Sequence, residues 1–170
     1  AFQPKALIVF KARPSQTQGA TSGNNSISVG FTDGTNQFTS GLRLEDAKNP
    51  TVFQSKLRSD RFMEQFFGSA LISLTFGAFT SDGFSYDKTT NTQGIYSLPY
   101  IALGGSGLQV IVGNTTTRTT NGTQSLTGFG FQPQLFLAVG GAMTSLNTLS
   151  ALGSLFFGAA AGSSDQRSIA

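Results

Sequence analysis

Apolar residues in this chain recur at every second position in short runs, the period of a strand whose two faces see different surroundings. Ile27, Val29 and Phe31 alternate with Ser26, Ser28 and Thr32. The same test predicts strands over residues 5–11, 26–32, 36–44, 70–79, 84–86, 95–103, 108–112, 134–139 and 154–161. Asp33-Gly34 between two runs signals a hairpin turn. Ala70, Ile72, Leu74 and Phe76 share one face while Leu71 lies on the other, so 70–79 reads as a central strand. Pro4 at the start of the first run and Pro99 inside another mark edges or bulges, where a missing N–H does least harm. Nine to eleven short strands with frequent turns predict an all-β protein, a β-sandwich or jelly-roll-like fold in a single domain.

One phrase occurs twice. Phe2-Gln3-Pro4 precedes the apolar run Ala6–Phe10, and Phe131-Gln132-Pro133 precedes Leu135–Val139. Each copy is followed, after a polar or small-residue spacer, by a second strand-like piece ending in Gly: Ile27-Ser28-Val29-Gly30 and Leu155-Phe156-Phe157-Gly158. A single deletion aligns both pairs, so residues 1–44 and 126–170 are expected to be duplicated β-units around a unique middle, 45–125. Two packings are open: two equivalent units about a pseudo-two-fold axis, or a truncated second repeat that exposes apolar surface to a partner. Equivalent packing would give Leu7 and Leu137 like surroundings.

Residues 45–68 break the alternation and hold most of the charge, including Glu45, Asp46, Lys56, Arg58, Asp60, Arg61 and Glu64. Phe53, Leu57, Arg61 and Glu64 fall at near-helical spacing, which predicts an extended arm or short helix. On such an arm Phe53, Leu57, Arg58, Arg61, Phe62, Phe66 and Phe67 are candidate subunit contacts. The alternative for the phenylalanines is burial in a local helix.

Composition narrows the chemistry. Charged residues are 11% of the chain, against about 25% in ordinary domains. His and Cys are absent, so the commonest general base and the thiol nucleophile are missing. No Gly-x-Ser-x-Gly elbow is present, and Gly104-Gly105-Ser106-Gly107 lacks the Lys and the following helix of a phosphate loop. The carboxylate pairs Glu45/Asp46, Asp60/Glu64 and Asp82/Asp87 read more simply as turns or solvated charges. Asp33, Asp82 and Asp87 offer oxygens to Ca²⁺, but each sits in or beside a turn phrase. These features predict a non-enzyme with no cofactor and no metal. The net charge of +3, with one small basic cluster at Lys56, Arg58 and Arg61, is too thin for a nucleic-acid footprint. No apolar run is long enough for a membrane helix. Asn24, Asn114 and Asn121 head N-glycosylation triplets, which arise by chance in so Asn/Thr-rich a chain.

The phrases Phe2-Gln3-Pro4-Lys5-Ala6, Ser81-Asp82-Gly83-Phe84, Tyr100-Ile101-Ala102-Leu103-Gly104-Gly105 and Gly128-Phe129-Gly130-Phe131-Gln132-Pro133 occur in that order. The order resembles a repeat in structural proteins of tailed bacteriophages and prophages, over nearly all of residues 1–140. The resemblance implies a virion location and a capsid decoration or tail protein whose partners are itself and other virion proteins. It implies no catalytic residues. The competing reading is a β-sandwich adhesin or lectin-like module that binds cell-surface glycans. That reading needs an aromatic platform, and the chain has no Trp.

Overall fold

The computed structural model describes residues 2–13, 24–45, 52–67, 69–91, 97–141, 143, 145–151, 153–162 and 164–169. Among these residues there are twelve strands and no helix. In chain order they are β1 (Pro4–Arg13), β2 (Asn24–Thr32), β3 (Gln37–Glu45), β4 (Val52–Arg58), β5 (Met63–Phe67) and β6 (Ser69–Phe79). They continue as β7 (Phe84–Asn91), β8 (Tyr100–Gly104), β9 (Phe136–Gly140), β10 (Leu149–Ser150), β11 (Phe156–Ala160) and β12 (Gln166–Ile169). The fold is all-β and sandwich-like, with every pairing antiparallel.

The main sheet has six strands in the order β10-β4-β3-β2-β1-β8. Its centre is the meander β1-β2-β3, joined at the predicted hairpin. There Asp33 Oδ1 accepts the amides of Thr35 and Asn36 at 2.9 and 2.7 Å, and Gly34 takes a φ of 90°. Pro4 opens β1 beside a register shift against β8, where a ladder donor is not needed. Pro99 lies just before β8, and its carbonyl accepts Phe10 N–H at 3.0 Å.

A three-stranded sheet, β5-β6-β7, forms the second layer. β5 crosses β2 and β3. Close approach is possible because the facing positions are small. A methyl group on Gly30 would overlap the Phe62 carbonyl, and one on Gly41 would lie 2.9 Å from the Phe66 ring. Between the layers Val9, Phe62, Met63, Ile72 and Leu74 form the core. Phe62 meets Phe76 edge-on with ring centres 6.3 Å apart, and burial of each such ring contributes roughly 1.5–3 kcal/mol.

Two expectations are corrected here. Residues 45–68 hold no helix or arm among the described positions: 52–58 and 63–67 are strands β4 and β5, joined by a tight turn. The helical spacing of Phe53, Leu57 and Arg61 was coincident with a period of two in which Phe53, Ser55 and Leu57 share one face and Lys56 and Arg58 the other. Residues 108–112 form no strand; Val112 N–H is instead held by Asp33 Oδ2 at 2.7 Å. Residues 95 and 96 of the predicted 95–103 strand lie outside the described residues, as do 46–51.

Candidate functional site

β9, β11 and β12 form a separate three-stranded sheet from the second copy of the duplicated phrase. Its pairing repeats that of the first copy. In the first meander Val9 stands opposite Gly30, Phe10 opposite Val29 and Ile8 opposite Phe31. In the second, the aligned positions are Ala138 opposite Gly158, Val139 opposite Phe157 and Leu137 opposite Ala159. The turn recurs one residue longer. Asp33 N–H bonds to the Asn36 carbonyl at 3.2 Å, and Ala161 N–H bonds to the Asp165 carbonyl at 3.0 Å. Gly34 and Gly162 occupy matching turn positions, both with positive φ. Sequence pieces that align thus pair in the same register, the outcome that side-chain alternation specifies.

The surroundings of the two meanders differ. The first is flanked by β4 and β8 and covered by β5. Among the described residues no strand pairs with the outer edge of β9 or β12. Leu7 is fully buried, whereas Phe136, its aligned counterpart, is 47% exposed and the neighbouring Leu137 44%. The expectation of two equivalent packed units is therefore corrected. The register is duplicated, the packing is not: the covering layer comes from the middle of the chain, and among the described residues its β5 lies on β1, β2 and β3 of the first copy. The loop between β9 and β11 reaches back to the six-stranded sheet: β10 pairs with β4, and Asn147 N–H donates to the Leu57 carbonyl at 2.7 Å. Asn147 also accepts Ser59 N–H at 3.1 Å through Oδ1.

The second feature is an ionic cluster at the β4–β5 turn. Glu64, 1% exposed, points into the layer between the sheets. Arg61 Nη1 donates to its Oε2 at 2.7 Å and to Ser73 Oγ at 2.8 Å. Lys56 Nζ lies 2.6 Å from Oε1 as an ion pair, off the hydrogen-bonding direction, and Arg58 Nε is 3.8 Å from Oε2. Asp60 closes the cluster from the rim. It accepts Arg58 Nε at 2.9 Å and Arg61 Nη2 at 2.8 Å. Hydrogen bonding by Arg58, then by Arg61, holds the Asp60 carboxyl well below the usual carboxylate range, against the opposing effect of burial. The hydrogen bond to Asp60, and then the charge of Glu64, raises the Arg61 guanidinium above its usual value against the opposing effect of burial.

The candidate contact residues divide accordingly. Phe62 and Phe66 are 0% and 1% exposed and belong to the interior, so they are not surface contacts of this chain. Arg58 and Arg61 are engaged with Asp60 and Glu64 within the chain. Leu57 is half-buried and Phe53 is 38% exposed, leaving Phe53 as the member of the group with most ring surface open. The side chain of Phe67 lies outside the described residues. Asp33 is spent on backbone amides, and Asp82 sits in the turn before β7. Among the described residues no three acidic side chains gather as a metal site. No helix among them is long and apolar enough to cross a membrane. The sequence reading missed the aromatic group Phe84, Tyr86 and Tyr100, where Phe84 and Tyr100 meet edge-on at 5.2 Å and Tyr100 is 56% exposed. Only the pairing of β7 and β8 with different sheets brings them together, and no local signal carries that.

No protein-family model matches this chain, and neither does any curated protein or solved structure.

Proposed function

We propose that this protein is a non-enzymatic structural component of a tailed-bacteriophage particle, a capsid decoration or tail protein that works through contacts between subunits. The observation that carries the reading is the second meander. It keeps the pairing register of the first, yet among the described residues it lacks the flanking strands and the cover that bury the first. A sheet with apolar side chains and two unpaired edges is a contact element that something outside it completes. The order of the Phe-Gln-Pro and Asp-Gly-Phe phrases supports a virion as the setting. Mass spectrometry of density-purified particles from the phage or lysogen encoding the chain tests it. Many copies per particle are expected; particles that lack the chain would overturn the reading.

One observation favours glycan binding as a second reading. Tyr86 and Tyr100, 46% and 56% exposed, stand with Phe84 as a small aromatic surface of the kind that stacks on sugar rings. A glycan-array signal lost in Tyr100→Ala would support it, and a blank array would remove it.

A further inference from the structure

The six-stranded sheet carries its charge on the covered side. Cross-strand register sorts the residues of β1 to β4 and β8 by face. Lys11, Arg43, Glu45, Lys56 and Arg58 fall on the face with Gly30 and Gly41, the one that β5 crosses. Past the bulge that opens β1, no charged residue of these strands occupies the opposite face. Phe10, Ile27, Phe31, Leu44, Phe53 and Ile101 stand there instead. Phe10, Ile27, Leu44 and Phe53 are each 38% exposed and Ile101 47%. A free-standing two-layer protein does the reverse, turning its apolar face inward and its charged face to water. Here Lys56, Arg58 and Arg61 pair with Glu64 and Asp60, Arg43 pairs with Glu45, and the apolar face is left partly open.

The size of this face is informative. Its strands β1, β2, β3, β4, β8 and β10 are ten, nine, nine, seven, five and two residues long, and at about 3.3 Å per residue and 4.8 Å per strand they cover on the order of 700 Å² of sheet. A footprint of that extent is close to the roughly 800 Å² per partner that a standard interface buries. The equivalent face of the second meander carries Leu137, Val139 and Phe157 in matching register, with Arg167 on β12 as its charge.

We propose that this chargeless face is the contact between copies of this chain, each copy covering the same face of another. The inference rests on the structural-assembly reading above and names its surface and partner. A face without charge meets its own copy without like-charge repulsion, which is the condition an isologous contact imposes on every residue near its axis. Within the face Val29 and Ser40 stand opposite each other and are 1% and 3% exposed, so small residues lie low between larger ones and leave relief for a facing side chain.

The absence of cysteine permits a direct test on the whole chain. Single variants Ile27→Cys on the face and Tyr86→Cys on β7 are labelled with a bulky maleimide across a dilution series, while light scattering follows mass. The expected result is a dimer or larger closed assembly at micromolar concentration, with Ile27→Cys labelled at least tenfold more slowly when concentrated than when dilute and Tyr86→Cys unchanged. Phe10→Lys is expected to give a monomer with wild-type circular dichroism. If Phe10→Lys fails to fold, the labelling contrast still decides. A monomer at every concentration, with Ile27→Cys equally reactive throughout, overturns the self-contact and assigns the face to another partner. Because particle mass spectrometry is independent of solution mass, that result leaves the virion reading standing.

Discussion

The backbone carbonyl of Phe62 rests on the Cα of Gly30, so closely that any side chain on β2 at that point would overlap it. Gly158 holds the same register position in the second meander, and there a methyl group would meet nothing nearer than 3.8 Å. Gly30→Ala is therefore expected to destabilise by roughly 2–3 kcal/mol or to prevent folding, through overpacking that a backbone contact cannot relieve. Gly158→Ala should stay within about 0.5 kcal/mol. Urea unfolding of the two variants checks the pair. Equal losses would mean that the second meander is covered like the first.

The strands were legible wherever apolar and polar residues alternate around a turn, as in Ser26–Thr32, Asp33-Gly34 and the return strand. The duplicated register was legible too, since Phe-Gln-Pro and the Gly-terminated piece fix the alignment of both hairpins. The 45–68 stretch was not legible, for a physical reason. Pattern reading takes charged positions as the solvent face, and in β4 and β5 the charges of Lys56, Arg58 and Glu64 are paired with one another between the sheets. The same stretch therefore leaves Phe62 and Phe66 open between a surface arm and a buried local helix, and the structure buries them on and beside a strand. Which face of the six-stranded sheet is covered depends on where β5 docks, and no local pattern encodes that.

Asp33 links the first hairpin to the long irregular segment after β8. Its two oxygens accept Thr35 N–H, Asn36 N–H and Val112 N–H. Asp33→Ala should cost about 1–3 kcal/mol, since three amides lose an ionised acceptor. Amide hydrogen exchange separates the effects: the Val112 amide should lose protection in Asp33→Ala, while amides in the middle of β6 keep theirs. A protected Val112 amide in the variant would show that the segment is held by other contacts.

Asp60 sets a pH dependence of known sign. Its folded carboxyl is depressed chiefly by the Arg58 hydrogen bond, while its unfolded value lies near about 3.9. Stability tied to Asp60 is therefore fully present above that value and drains away as pH falls toward the folded one. The carboxylate is 47% exposed, so solvent screens the effect and it stays small. The urea-midpoint difference between wild type and Asp60→Asn should be constant from neutral pH down to about 4 and shrink below it. A difference that does not move with pH would assign the role of Asp60 to packing.

Glu64 is the charge on which the covered face depends. Lys56 and Arg61 reach it at 2.6 and 2.7 Å, and Lys56 Nζ also lies 5.7 Å from the centre of the Phe66 ring. Glu64→Gln keeps the shape and removes the charge, leaving three cations between the sheets with Asp60 alone to balance them. Breaking a buried pair from one side typically costs about 3–5 kcal/mol, most of it the penalty of the stranded partner. The double variant Glu64→Gln, Lys56→Met removes one stranded cation, and it should recover part of that loss. A coupling of at least about 1 kcal/mol in the double-mutant cycle is expected from urea unfolding. Additive losses would mean that Lys56 finds water once Glu64 is neutral. The interior at the β4–β5 turn would then be wetter than its burial suggests, and the covered face would need no counter-charge to hold its lysine.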